Sequence, residues 1–294
     1  MNMRGQLVAT VEALMQEDER LVTLLGDIGV FGFRKAFEQF PERIYNIGIL
    51  EQATISLAAG LASTGLVPVV HTIAPFLVER ALEQLKIDFC YQRLGGNFIS
   101  VGGSYDYAAL GCTHHCPADV ILLRTLPGME IVVPGTANEF DSLFRQSWAN
   151  GNPTYFRLSE SQNPVSFEQH FGKATVVQTG SKATVVVVGP LLGTVMEAVE
   201  GHDITVLYYT CLAPFDGETL RQHCSSNRIL LCEPYYSGTL LQELHNALGP
   251  RPLTIDTVGM PREFLEQYGH RQQHDQALGF TAEAIRRKLE PLCQ

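Results

Sequence analysis

The sequence is poor in basic residues. It has 21 Lys and Arg against 31 Asp and Glu, which gives a formal net charge of −10 at pH 7. No Lys/Arg cluster is present, whereas proteins that bind nucleic acid or anionic membranes usually carry a basic face. The composition therefore argues against a polyanion as the partner.

Long apolar runs are also missing, and the number of cysteines is odd. No run approaches the ~18 consecutive apolar residues of a membrane span. Glu12 interrupts the apolar part of the N-terminal segment, where a secretory signal would have to continue. Several of the seven cysteines lie inside apolar runs such as RILLCEP, which is typical of buried free thiols in a reducing compartment. These features predict a cytoplasmic protein.

What the sequence does contain is an alternation of strand-like and helix-like segments. In the first 160 residues, apolar strands such as RLVTLLGD and LVPVVHTIAP alternate with helical patterns such as EQATISLAAGLASTG. The segment FLVERALEQLKIDFCYQRL is predicted to be one continuous helix. Strands that alternate with crossover helices indicate a mostly parallel sheet covered on both faces.

The length of the chain and the pattern of alternating strands and helices predict two domains. The alternation stops at residues 161–181, which are polar with scattered Gly and Pro, and then resumes. We predict a first domain at 1–163, a linker at 164–181 with a short strand at 174–178, and a second domain at 182–294. The predicted fold class is α/β, with two three-layer domains that each contain a mostly parallel sheet covered by helices.

A carboxylate stands at the start of an apolar helix. Glu51 follows the turn at Gly48 in YNIGILEQATISLAAGLASTG. As a bare pattern, a carboxylate that serves the helix dipole is about as good an interpretation as a functional acid. Apolar surroundings raise the pKa of a carboxyl, which suits a group that must share a proton.

Two further segments contain groups that can carry chemistry. CTHHC, residues 112–116, suggests zinc only weakly, because structural zinc sites pair C-x₂₋₄-C with a second, distant ligand pair that is not evident here. The alternative is a loop that presents imidazoles to a substrate. GDIGVFGFRKAF follows a strand, but it matches neither G-x-G-x-x-G nor G-x-x-x-x-G-K. We therefore predict no metal ligands in this chain.

These motifs together resemble the transketolase family of thiamin-diphosphate enzymes. IGILEQATISLAAGLASTG is similar to the family's pyrimidine-binding domain, and CTHHCPADVILLRTLPGMEIVVPGTANEF is similar to its T-H-Q/H loop and the segment that follows. KATVVVVG, EPYYSGTLLQELHNAL, GMPREF and GFTAEAIRRKL resemble the C-terminal transketolase domain. The resemblance covers essentially the whole chain in the right order, and it implies thiamin diphosphate and Mg²⁺ as cofactors.

The resemblance implies which residues face the cofactor. Glu51 would hydrogen-bond the ring nitrogen N1′ of the aminopyrimidine and favour its imino tautomer, so that the cofactor can form its carbanion. Phe76 would stack on the same ring, although the spacing leaves Leu77 as an alternative. Asp27 and Arg80 would lie nearby.

The substrate side departs from the sugar-phosphate members of the family. His114 and its neighbour His115 would face the substrate, as the T-H-Q/H motif implies. Leu110 stands where those enzymes have an acid for donor hydroxyls, and Glu160 stands where they have an Arg for the phosphate. These changes favour an unphosphorylated or modified ketose, or a 2-oxo acid, over xylulose 5-phosphate. Arg157 is a candidate for binding the substrate if a cation is needed.

The diphosphate-binding part of the family pattern is missing. Whole transketolases carry G-D-G followed by an Asn before this region, whereas GDI lacks the second Gly and Asn46 comes only 19 residues after Asp27. The resemblance therefore implies the C-terminal, beta-like subunit of a split transketolase. It would need an N-terminal partner subunit to bind the diphosphate and Mg²⁺, in an alpha2beta2 heterotetramer.

The implied reaction is transfer of a two-carbon ketol or acyl unit to an aldehyde acceptor. The alternatives are a beta subunit of a 2-oxo acid dehydrogenase and a deoxyxylulose-phosphate-synthase-like enzyme. A catalytically dead interaction subunit is a further alternative, against which the presence of Glu51 argues.

Overall fold

The protein contains two β-sheets. Its structure, which is a computed structural model, describes residues 1–224 and 226–293. The strands are β1 (Leu21–Leu25), β2 (Ile44–Asn46), β3 (Val67–Ile73), β4 (Gly96–Val101), β5 (Glu130–Val132), β6 (Pro153–Arg157), β7 (Thr175–Gln178), β8 (Ala183–Val188), β9 (Ile204–Tyr209), β10 (Cys211–Ala213), β11 (Arg228–Tyr236) and β12 (Thr254–Met260). The first sheet has the order β10-β5-β6-β4-β3-β1-β2 and the second β12-β11-β8-β9-β7. Only β10 and β7 pair antiparallel among these described strands.

Helices connect the strands and cover the sheets. They are α1 (Met3–Glu17), α2 (Arg34–Gln39), α3 (Glu51–Ser63), α4 (Ala74–Leu77), α5 (Leu82–Gln84), α6 (Asp119–Leu123), α7 (Ala137–Ser147), α8 (Leu192–Val199), α9 (Gly217–His223), α10 (Leu241–Leu248), α11 (Arg271–Leu278) and α12 (Ala282–Leu289). Side chains of Thr136, Asp216 and Thr281 cap α7, α9 and α12 by accepting backbone N–H groups. The predicted α/β fold with two mostly parallel sheets is confirmed.

The segment predicted as one long helix after β3 is interrupted, so that prediction was wrong. It contains α4, a turn at 78–81, α5 and a π-helix at Leu85–Tyr91. The N–H of Arg80 bonds the carbonyl of Pro75, five residues back, where a continued α-helix would use the carbonyl four residues back. The break separates Phe76 from the helix that follows.

Strand β1 is buried along its whole length and β3 along most of its length, as central strands of a parallel sheet must be. The chain leaves β1, β2, β3 and β4 at one edge of the first sheet, because these four strands run parallel. In open α/β sheets this carboxyl edge is where ligands bind. The Gly26–Ile28 turn, the start of α3, helix α4 and the loop 102–118 all begin there.

The two halves of the chain are interlocked. Strand β10 comes from the second half but pairs with β5 of the first sheet, and the N–H of Val133 donates to the carbonyl of Thr210 at 2.6 Å. One apolar cluster contains Val22 of β1 together with Val186 of β8 and Leu231 of β11. Within the predicted linker, β7 forms an edge of the second sheet. None of the described helices is long and apolar enough to span a bilayer.

Candidate active site

Glu51 is a buried acid with one oxygen held and one free. It is the first residue of α3 and its side chain is 4% exposed. Its Oε1 accepts a hydrogen bond from Nη1 of Arg80 at 3.0 Å, whereas Oε2 accepts none from any residue that the structure describes. The positive end of the helix dipole also favours a carboxylate in the first turn. The acid is thus fixed in position with an oxygen available to a ligand.

Phe76, Arg80 and His114 form a cluster beside this acid. The guanidinium carbon of Arg80 lies 3.9 Å from the centroid of the Phe76 ring. The ring of His114 meets Phe76 edge-on at 5.4 Å between centroids. Arg80 therefore links the acid to the aromatic ring, and His114 adds an imidazole at the same place. The four residues come from α3, α4, the turn that follows α4 and the loop after β4.

Leu77 lies in the core, unlike Phe76. Its side chain is fully buried in the first apolar cluster, and it also borders the small space next to Glu51. Phe76 is half-buried. Of the two candidates for stacking on a cofactor ring, Phe76 is thus the one with an accessible ring.

Asp27 occupies the turn after β1. It is exposed and has φ of 63°, a left-handed conformation that Asp tolerates better than most residues. Its N–H donates to Oδ1 of Asn46 at 2.9 Å, and Nδ2 of Asn46 donates back to Oδ1 of Asp27 at 3.2 Å. Asn46 ends β2 and was not among the predicted site residues. Only the parallel pairing of β1 with β2 brings the two together, so sequence separation gave no signal for it.

His115 packs against the second half of the chain. Its side chain is 7% exposed and neither ring nitrogen has a well-formed hydrogen bond. The ring lies 5.9 Å from that of His274 in α11. Burial, and to a smaller extent His274, lowers the pKa of His115. It is therefore a neutral, buried imidazole near neutral pH.

Arg157 is part of the core. Its Nε donates to Oδ2 of Asp119 at 2.6 Å and its Nη2 donates to Oγ of Ser104 at 2.7 Å. The Tyr155 hydroxyl donates to the same Asp119 oxygen. Burial disfavours the guanidinium charge, but Asp119 together with Tyr155 and Asp106 outweighs this effect and raises the pKa of Arg157. This placement does not support the predicted contact of Arg157 with substrate.

The loop that carries His114 is covered by the second half of the chain. Leu110 is 50% exposed and ends a short 3₁₀ turn. The next residue, Gly111, has φ of 74°, and a Cβ there would lie 2.6 Å from the Tyr268 ring. Only glycine allows Tyr268 to pack this closely on the loop.

The CTHHC segment is split between surface and core. Cys112 is exposed, whereas Cys116 is fully buried and its thiol donates to Glu79 at 3.7 Å. Burial raises the pKa of the Cys116 thiol well above its usual range. Among residues 1–224 and 226–293, no group of three or more His, Cys, Asp or Glu could hold a metal ion.

Comparison with known proteins agrees with this arrangement. Residues 1–165 match the family described as "Transketolase, pyrimidine binding domain". The chain is 34% identical to an uncharacterized 33.6 kDa protein in the fasciation locus of Rhodococcoides fascians, over 94% of this chain and 90% of that protein. It is 30% identical to one subunit of the apulose-4-phosphate transketolase of Actinobacillus succinogenes, over 84% of each chain.

A solved structure has the same fold along the whole length. It is described as a split gene transketolase, inactive beta4 tetramer, and it superposes with a TM-score of 0.88 at 24% identity. The match covers 100% of this chain and 98% of that one. On the family match to more than half of its residues, this chain belongs to the transketolase family.

Proposed function

We propose that this chain is the beta-like subunit of a two-subunit, thiamin-diphosphate-dependent transketolase. The enzyme transfers a two-carbon ketol or acyl unit from a donor to an aldehyde acceptor. The observation that carries the proposal is Glu51, a buried carboxylate at the carboxyl edge of the sheet with one oxygen held by Arg80 and the other free.

The residues around Glu51 fit the aminopyrimidine of thiamin diphosphate. A nitrogen heterocycle of this kind needs an acid at its ring nitrogen and an apolar surface for its face, and Glu51 and Phe76 offer these two groups at one place. When bound, thiamin diphosphate would supply the nucleophilic carbon that the reaction requires. Glu51 would share a proton with the ring nitrogen of the aminopyrimidine, and the ion pair with Arg80 keeps its carboxyl in place.

His114 is suited to the substrate. It lies edge-on to Phe76, and Oγ of Thr113 is 3.0 Å from its Nδ1. This contact orients the ring, so that the other nitrogen can hydrogen-bond the substrate oxygen on which charge develops. His115, the next residue of the same loop, is buried beside His274.

A partner subunit completes the site. Asp27 and Asn46 hydrogen-bond each other at the turn that precedes Glu51, so each already has a partner within this chain. A relative named as one subunit of a transketolase matches this chain along most of its length. We therefore assign the diphosphate and Mg²⁺ to an N-terminal transketolase subunit, in an alpha2beta2 heterotetramer.

Reconstitution tests the proposal. The purified chain is assayed alone and after mixing with the N-terminal subunit, with thiamin diphosphate and Mg²⁺, using a panel of ketose and 2-oxo acid donors. We expect turnover only in the mixture. Thiamin-dependent turnover by the chain alone would contradict the two-subunit assignment. If the mixture forms a complex that binds cofactor but turns over no donor, the assignment as a transferase is wrong.

A further inference from the structure

A cavity of about 200 Å³ lies beside the His114 loop, outside the cluster of Glu51, Phe76, Arg80 and His114. Arg4 at the start of α1, Tyr107, Ser159 and Glu160 are among the residues that line it. The Tyr107 ring is 6.4 Å from the ring of His114. The cavity thus adjoins the place where the reacting end of a substrate would sit.

One positively charged side chain, Arg4, and one negatively charged side chain, Glu160, line the cavity without pairing with each other. Among the residues that the structure describes, neither the Arg4 guanidinium nor the Glu160 carboxyl makes an ion pair or a side-chain hydrogen bond. Burial and the nearby Asp106 raise the pKa of Glu160, whereas Arg271 and, to a smaller extent, Arg4 lower it. The guanidinium and the carboxyl, both on exposed residues, therefore line the same cavity without forming an ion pair with each other.

The ion pair between Asp106 and Arg271 fixes the backbone at Glu160. The N–H of Glu160 donates to Oδ2 of Asp106 at 3.1 Å, and the Ser159 hydroxyl donates to Oδ1 of the same buried carboxylate. Arg271 of α11 reaches across from the second half of the chain to pair with Asp106. Arg4 and Arg271 contribute two positive charges, and Asp106 and Glu160 contribute two negative ones. The formal charge of this group of four is therefore zero.

We infer that this cavity binds the far end of the sugar substrate as an uncharged polyol, and that Glu160 is the residue that determines this specificity. The inference rests on the proposed function. Arg4 donates hydrogen bonds to hydroxyl oxygens, and Glu160 accepts hydrogen bonds from the same or adjacent hydroxyls. A phosphate dianion could pair with Arg4, but it would lie against the carboxyl of Glu160, and such a repulsive element is how a site excludes a competitor.

The size of the cavity agrees with a short polyol tail. Its volume of about 200 Å³ gives room for a small ligand.

Matched pairs of donors test the inference in the reconstituted enzyme. D-Xylulose is compared with xylulose 5-phosphate, and D-fructose with fructose 6-phosphate, by kcat/KM. We expect the unphosphorylated member of each pair to be preferred by at least about tenfold, because a phosphate dianion would lie against the like charge of the Glu160 carboxylate. Glu160→Arg should move the ratio at least about tenfold toward the phosphorylated donor, and Glu160→Gln should move it in the same direction by less.

The control is Glu200→Arg, which makes the same change of charge at an exposed position after α8. It should leave the ratio unchanged. A wild-type preference for the phosphorylated donors, or an unchanged ratio in both Glu160 variants, overturns the inference while the proposed function stands. If Glu160→Arg does not fold, the test relies on Glu160→Gln, which keeps the size of the side chain.

Binding separates this inference from the proposed function. Saturation-transfer NMR on the chain alone measures whether D-xylulose or xylulose 5-phosphate binds, and whether Glu160→Arg exchanges the preference. If no donor is turned over but the chain binds D-xylulose in preference to xylulose 5-phosphate and this preference depends on Glu160, the inference about the cavity is confirmed and the proposed transferase function is wrong. If xylulose 5-phosphate binds the wild-type chain better than D-xylulose does, the inference is wrong.

Discussion

Glu51 combines two properties that a surface carboxylate at a helix start does not have. Its side chain is almost completely buried, and Arg80 holds one oxygen while the other remains free. A helix-dipole role alone would require neither the burial nor the free oxygen. The arrangement suits an acid that must meet a ligand in one fixed orientation.

The first prediction concerns the proton on Glu51. Glu51→Gln keeps a carbonyl oxygen for Arg80 but cannot share a proton, so activity of the reconstituted enzyme should fall by ~10²–10⁴-fold. The rate of C2 proton exchange of bound thiamin diphosphate, measured by NMR, should fall with it. Glu83→Gln, at an exposed acid in α5, is the control and should change neither. Exchange at the wild-type rate in Glu51→Gln would refute the assigned role.

The second prediction distinguishes Phe76 from Leu77. Phe76→Ala removes the accessible ring and should weaken thiamin diphosphate binding by about 2–10-fold, since an aromatic contact is worth ~0.5–1.5 kcal/mol beyond its area. Leu77→Ala leaves a cavity in the core and should cost about 2–5 kcal/mol of stability. Titration calorimetry on the assembled enzyme and urea unfolding of the chain measure the two effects. The opposite pattern would make Leu77 the stacking residue.

At the scale of residues, the sequence motifs predicted the side chains that form the candidate site. Glu51, Phe76, Arg80 and His114 were all predicted and do meet in one cluster. The environment of Arg157 was not predictable, because its partner Asp119 comes from α6 and the two meet only through the sheet. Arg4 was missed for the same reason, since nothing in the spacing places the start of α1 next to Glu160.

At the scale of elements, β3 carries a histidine in an environment that suits only its neutral form. His71 is fully buried, and its Nδ1 lies 2.8 Å from the carbonyl of Ile99 on β4. That contact assigns the proton of the neutral ring to Nδ1. Nε2 has no hydrogen-bond partner among the described residues. Burial lowers the pKa of His71 from 6.5 to about 4.

The third prediction follows from this pKa. Between pH 6.5 and 4 the unfolded chain binds a proton at His71 that the folded chain does not, so stability is complete above pH 6.5 and declines as the pH falls. The difference between the two pKa values corresponds to a loss of about 3 kcal/mol in the free energy of unfolding between about pH 7 and about pH 4. His71→Gln keeps a hydrogen-bond donor for the carbonyl of Ile99 but cannot titrate. In urea unfolding, the stability of this variant should therefore fall by about 3 kcal/mol less than that of the wild type over the same pH range. Parallel pH dependences of the two proteins would contradict the prediction.

The remaining elements were predicted where local pattern and tertiary environment agree. Most strands of the two sheets and α3 follow apolar periodicity. The helix predicted after β3 failed because the apolar residues of 76–94 have helical spacing on both sides of a break, and spacing alone does not show where one helix ends and another begins. The small strand β10 is three residues long and had no signal of its own.

At the scale of the whole molecule, the second half of the chain completes the first. It supplies β10 to the first sheet, Arg271 to the carboxylate of Asp106, and Tyr268 to the loop that carries His114. The division into 1–163 and 182–294 describes the sequence pattern. The shared sheet and the shared apolar cluster tie the stability of both parts together.

The last prediction is that the chain unfolds as one cooperative unit. Trp148, the single tryptophan, follows α7 in the first half, whereas Leu212 of β10 comes from the second half and is fully buried in the shared cluster. Leu212→Ala should cost about 2–5 kcal/mol and should lower the urea midpoint of Trp148 fluorescence and of far-UV circular dichroism equally. Leu57→Ala, at a half-exposed leucine of α3, should change both midpoints little. If Leu212→Ala shifts the dichroism but leaves the Trp148 transition where it was, the halves unfold separately and the interlock does not couple them.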